Sequence, residues 1–186
     1  MKRLCATLLI VFLCVMFFAG CNANDSVLAD MEAFMKSYTS YHVDENYYEN
    51  HDLDFGILYD VTMEDAEVTN ADRGRKEYEL PLASSLFGTN VEMTVCTDKK
   101  DTINSIEISM EDGAVNLFGS PEDMATYLST VIVSANHEIS DDSAWNIVAD
   151  LWDDQLDDYW GHVSTPEVDY YLYTGATVLF MIEVHE

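Results

Sequence analysis

Six stretches of this chain alternate apolar and polar residues with a period of two, and that alternation limits the possible folds more than any other feature. They run through Ile57, Tyr59, Val61 and Met63; Tyr78, Leu80 and Leu82; Val91, Met93 and Val95; Ile106, Ile108 and Met110; Val168, Tyr170 and Leu172; and Val178, Phe180, Ile182 and Val184. Successive side chains of a strand point to opposite sides, so each stretch offers one face to a core and one to water. Antiparallel sheets have that pattern, and the short links between neighbouring stretches favour antiparallel pairing. Thr97 to Thr102 and Thr174-Gly175-Ala176 read as hairpin turns, and Pro81 marks an edge or a strand end.

Helical periodicity appears at three other places. Val27, Leu28, Met31, Phe34, Met35 and Tyr38 recur at steps of three and four, which predicts a first helix starting at Asp25 or Ser26. Ser120-Pro121-Glu122-Asp123 combines an N-cap serine, a proline at the first helical position and acids in the first turn. Met124, Tyr127, Leu128, Val131 and Ala135 form the apolar face behind it. Ser140-Asp141-Asp142 opens a third helix with Ala144, Ile147, Val148, Leu151 and Trp152 turned inward. The expected fold is α+β in two layers: an antiparallel sheet of about five to six strands, an N-terminal helix, and a helix pair before a C-terminal hairpin.

The first residues belong to a different physics. Lys2 and Arg3 precede an apolar run from Leu4 to Phe18, and Ala19-Gly20 leads into Cys21. A charged start followed by a short apolar core is the build of an export signal. The 17 residues between Arg3 and Cys21 fall short of the roughly 20 that a spanning helix needs. The run into Cys21 resembles the lipobox of bacterial lipoproteins, with Phe18 where the commonest pattern has leucine. That resemblance covers residues 1–21 and implies that Cys21 takes a diacylglycerol on sulfur, that residues 1–20 are removed, and that the protein is exported and held on the outer face of a membrane. Two other outcomes use the same residues: cleavage behind Ala23, giving a free exported protein, or an uncut short anchor. The expected organisation is a signal at 1–20, a lipidated tether at 21–24 and a single acidic domain at 25–186.

Charge is the next constraint. The chain carries 35 acidic and eight basic side chains, and without Lys2 and Arg3 six basic residues face 35 acids, a formal −29. Such a surface repels nucleic-acid phosphate and anionic headgroups. The expected partners are therefore the membrane through the anchor, and an envelope protein, a cationic peptide or a wall glycan, with no nucleic acid. On an anionic membrane the acidic surface is expected to turn outward and any basic patch to face the lipid. Cys5 and Cys14 leave with the signal; with Cys21 lipidated, Cys96 stands alone and no intramolecular disulfide forms. Cys96 reads as a small core residue.

No sequence pattern assigns catalysis. The nucleophile elbow, His-Glu-x-x-His, Ser-x-x-Lys and the phosphate loop are all missing, so no catalytic residue, metal ligand, cofactor or ligand-binding residue is named. Asp150, Asp153, Asp154, Asp157 and Asp158 would share one face if the third helix ran that far, which reads as a solvated face. Tyr41 to Asp54 mixes tyrosines, acids, His42 and His51 in a loop whose rings suit sugars or cations but more simply cover a core edge. The leading expectation is a lipid-anchored binding or interaction module. A carboxylate-based envelope hydrolase and a chaperone-like or inhibitory module are the alternatives. Cys21→Ser is expected to abolish incorporation of a radiolabelled fatty acid and to release the protein from the membrane fraction; retained label refutes the lipid site.

Overall fold

The computed structural model describes residues 27–40, 58, 60–70, 74–83, 90–111, 117–118, 120–155 and 159–185. The fold class is the expected α+β. Helix α1 spans Met31–Ser40, α2 Pro121–Ala135 and α3 Asp141–Asp154. The strands are β1 Glu67–Asn70, β2 Lys76–Ala83, β3 Val91–Thr97, β4 Ile103–Met110, β5 Trp160–Ser164, β6 Val168–Thr174 and β7 Val178–Val184. They form one antiparallel sheet in the order β1-β2-β3-β4-β7-β6-β5. Two meanders thus meet at the β4–β7 pair, and the helix pair α2–α3 carries the chain from one meander to the other.

The alternating residues fill one side of this sheet. Leu80, Met93, Ile106, Ile108, Phe180, Ile182 and Leu172 are fully buried there, with the buried faces of α1, α2 and α3 in the same core. Each such side chain contributes about 1.5–3 kcal/mol relative to exposure. α2 is central: it contacts both α1 and α3, and Met124, Tyr127, Leu128, Val131, Ile132 and Ala135 are all buried. Two of its buried hydroxyls are handled locally, with Ser129 and Thr130 donating to the carbonyls of Ala125 and Thr126 at 2.7 and 3.0 Å, whereas that of Ser134 has no partner among the described residues. Tyr38 of α1 donates to the Leu58 carbonyl at 2.7 Å, and its oxygen lies 2.9 Å from the Tyr127 hydroxyl.

Four sequence expectations need correcting. The sheet has seven strands rather than five or six. Leu58 and Val61 are buried without being in a strand, because Thr62 to Asp65 closes a tight turn in which the Asp65 carboxylate accepts from the Thr62 amide and hydroxyl at 2.8 and 2.7 Å. The edge strands β1 and β5 take its place. Helix α1 starts at Met31, not at Asp25 or Ser26. Asp30 caps it by accepting from the Ala33 amide at 2.8 Å, and Ala29 is held extended, donating to Ala135 and accepting from Ile103. Finally, Cys96 is half-buried on the side of the sheet away from the helices, so it is not a core residue.

The helix caps follow the sequence. Ser120 and Ser140 accept from the amides of Asp123 and Ser143 at 3.1 and 3.3 Å. Pro81 sits past Glu67, the last β1 residue to pair, and beside the irregularity between Pro81 and Ala83, where its missing N–H costs no ladder bond. At the far edge, Gly161 lets α3 approach β5: a Cβ there would lie 1.9 Å from the Leu151 carbonyl oxygen.

Two buried hydroxyls, those of Ser134 and Tyr170, work against the fold. The Tyr170 hydroxyl is enclosed and has no hydrogen-bond partner among the described residues, and burial pushes its pKa up to about 12. A buried polar atom left unsatisfied costs about 1–3 kcal/mol. Tyr170→Phe is therefore expected to raise stability by about 1 kcal/mol, read as a higher urea midpoint at unchanged slope; a lower midpoint refutes it.

Candidate functional site

The side of the sheet away from the helices carries the residues that the core does not use. Cross-strand pairing sorts them into three rows. One row runs Glu67, Glu79, Thr94, Glu107, Met181, Tyr171 and His162 across all seven strands. A second runs Thr69, Glu77, Cys96, Ser105, Glu183, Asp169 and Ser164, and a third Pro81, Glu92, Ser109, Leu179, Tyr173 and Trp160. The carboxylates concentrate on β1 to β4 and β7, the rings on β5 and β6. No strand position on this face holds lysine or arginine, so the acids there act as one negative field.

The rings are ordered in pairs. Trp160 packs on Tyr173 with centroids 5.0 Å apart, and the His162 ring stacks on Tyr171 at 4.6 Å and 9°. Trp160 remains 44% exposed, so its face is available to a cation or a sugar.

Asp169 organises one corner. Its Oδ1 lies 3.0 Å from His162 Nε2 and its Oδ2 2.9 Å from His185 Nε2. The Ser164 hydroxyl first, then His162 and His185, hold its pKa down at about 2. His185 Nδ1 faces the Pro166 carbonyl at 3.2 Å. With acceptor-only oxygens at both ring nitrogens, both contacts are hydrogen bonds only in the doubly protonated ring. Beside this corner a cleft of about 480 Å³ is lined by Arg75, Cys96, Ser105, Glu183 and His185 among others. Burial pushes the Cys96 thiol up, and Glu77 and Glu107 add to the shift. A protonated thiol is a poor nucleophile, so Cys96 is a wall of the cleft.

The sequence-derived candidates fare unevenly. Cys21 and the segment from Tyr41 to Asp54, including His42 and His51, lie outside the described residues. α3 ends at Asp154, short of Asp157 and Asp158, which also lie outside them. Asp150 and Asp153 are exposed. Asp154 serves the sheet instead, since its carboxylate accepts from the His162 amide at 3.1 Å and blocks the outer edge of β5. Among the described residues no group of His, Cys, Asp and Glu is placed to hold a metal ion. No helix among them is long and apolar enough to cross a membrane.

The helical side has its own groove. Between α2 and α3, Trp145 separates a depression of about 360 Å³, rimmed by Asp141 and Asp142, from one of about 310 Å³ lined by Pro121, Ala125, Val148 and Trp152. This groove is divided and short, whereas the open sheet face is continuous.

The sign of the Asp169 contribution is fixed by its lowered pKa. Its stabilisation is complete above the unfolded value of 3.8 and is lost as pH falls toward about 2. Asp169→Asn is expected to lower the urea midpoint at about pH 5, with the gap to the parent closing by about pH 2; a gap that persists in acid refutes the assignment. No family model, no curated protein and no solved structure matches this chain.

Proposed function

We propose that this protein is an envelope-attached binding module, tethered through lipid on Cys21, whose open sheet face takes a cationic segment of a second envelope protein. The observation behind this reading is the composition of that face: Glu67, Glu77, Glu79, Glu92, Glu107, Glu183 and Asp169 share it with no lysine or arginine on its strands. Such a field raises the encounter rate of cations and rejects anions. Trp160, Tyr171 and Tyr173 then offer ring faces to lysine or arginine at close range. Seven strands spaced about 4.8 Å apart make a face about 29 Å wide, so roughly nine extended residues cross it.

The alternatives have less support. A carboxylate hydrolase asks for a desolvated acid beside an ionised one in a cleft. Among the described residues Asp123 is the acid that burial pushes up, and it is engaged with Ser120 in the α2 cap, where Ser120 Oγ donates to Asp123 Oδ2 at 2.9 Å. A chaperone-like module asks for a free sheet edge or an apolar patch. β5 is blocked by Asp154, and β1 is four residues long, exposed throughout, and headed by Glu67.

The test is a titration of the full chain with a ten-residue lysine- and arginine-rich peptide, with a glutamate-rich peptide of equal length as control. The basic peptide is expected to bind, with affinity falling as salt rises. Glu107→Gln with Glu183→Gln is expected to weaken binding by about three- to ten-fold, while Asp150→Asn on α3 leaves it unchanged. Equal binding of both peptides, or an equal effect of Asp150→Asn, refutes the reading.

A further inference from the structure

Basic residues are scarce here, and the fold gathers them. The described residues include five, Lys36, Arg75, Lys76, Lys99 and Lys100, and all but Lys36 lie at one end of the sheet. Arg75 and Lys76 lead into β2, while Lys99 and Lys100 form the β3–β4 turn. The pairing Lys76↔Thr97 sets these segments side by side. Gly74 closes the approach: at φ +78° it occupies the left-handed region, and a Cβ there would sit 3.6 Å from Lys99 Cβ.

The acids of the β3–β4 turn and of the start of α1 are engaged in hydrogen bonds. Asp98 accepts from the amides of Lys100 and Thr102 at 2.7 and 3.0 Å. Asp101 pairs with Lys76 at 2.6 Å and accepts from the Tyr78 hydroxyl at 2.9 Å. Asp30 caps α1. Arg75, Lys99 and Lys100 are exposed and make no ion pair among the described residues. These exposed cations stand together at one end of a molecule whose formal net charge is −27.

The chain comes in at this same end. Met31 donates to the Asp101 carbonyl at 2.9 Å, and Asp30 bridges Thr102. Ala29 accepts from Ile103 at 3.0 Å. Residues 21–26 separate Cys21 from Val27, and six residues reach at most about 20 Å. A lipid on Cys21 therefore keeps the Lys99–Lys100 turn close to the headgroups.

We propose that the end of the sheet formed by Arg75, Lys99 and Lys100 docks on anionic lipid headgroups beside the anchor. This rests on the lipid-anchored reading of Cys21. The anchor supplies proximity, and the three cations supply attraction within a Debye length of about 8 Å. The acids elsewhere add torque in the same sense, since they are repelled by the surface that attracts this end.

The test uses the full lipidated chain on vesicles of phosphatidylcholine alone or with 30% phosphatidylglycerol (about the anionic content that gives a strong surface potential). Exposed lysines are acetylated briefly and read by mass spectrometry, with Lys36 as internal reference. The expected result is about five-fold protection of Lys99 and Lys100 on the anionic vesicles, removed by about 0.5 M salt, with Lys36 unaffected. Lys99→Gln with Lys100→Gln is expected to lower the protection of Lys76 on the same vesicles. Protein that does not float with vesicles and carries no lipid on Cys21 refutes the anchor and the docking together. Protein that floats, with Lys99 and Lys100 equally reactive on both vesicle types, refutes the docking alone.

Discussion

One-sided burial of the seven-stranded sheet is the constraint on which the rest of this structure depends. Once one face is given to the helices, every strand residue is committed to oil or water by its parity, and a register slip of one would exchange the two sets. The helical layer answers the same demand. α2 lies between α1 and α3 over the sheet and is buried almost all round, which is why Ser129 and Thr130 satisfy their hydroxyls within the helix. The Ser120–Asp123 cap belongs to the same logic, since a helix end placed against a core needs its amides matched.

The charge pattern follows from that parity. With about half of each strand excluded from the core, the acids of the sheet have only one face to occupy, and they accumulate there. Their mutual repulsion is tolerable because water reaches most of them and because Asp169 has His162, His185 and Ser164 around it. The edges are defended separately. Asp154 takes the outward amide of β5, and the closeness permitted by Gly161 brings α3 near enough to do so.

What the sequence discloses depends on whether an element is read by burial. β2, β3, β4, β6 and β7 alternate between buried and wet, so Leu80, Met93, Ile108, Leu172 and Phe180 announce them. β1 is exposed at all four positions and leaves no such mark. β5 turns Gly161 and Val163 inward and Trp160, His162 and Ser164 outward, an inversion of the usual cue. Val27 and Leu28 fit a helical stripe because a buried extended segment and a helix start can carry the same two residues; Asp30, as N-cap, decides between them. The Asp169 corner is less legible still. His162, Asp169 and His185 come from β5, β6 and the residue after β7, and no spacing links them until pairing sets the strands edge to edge. Arg75, Lys76, Lys99 and Lys100 are spread over two stretches of the sequence, and their place beside Ala29 and Met31 emerges only through the contacts of those two residues.

Anchor and face also constrain one another through direction. Asp30 and Met31 meet the sheet at the β3–β4 turn, at the ends of its strands, whereas the acidic face looks out perpendicular to the strands. A lipid on Cys21 with Arg75, Lys99 and Lys100 against the headgroups would stand the strands up from the membrane. The rows that cross Glu107, Met181 and Tyr171 would then face sideways, along the membrane surface. A partner reaching that face would approach laterally, as a neighbour anchored in or lying on the same membrane does. Confinement to one surface raises the effective concentration of such a neighbour, so a weak, salt-sensitive contact across this face would suffice to hold the two together.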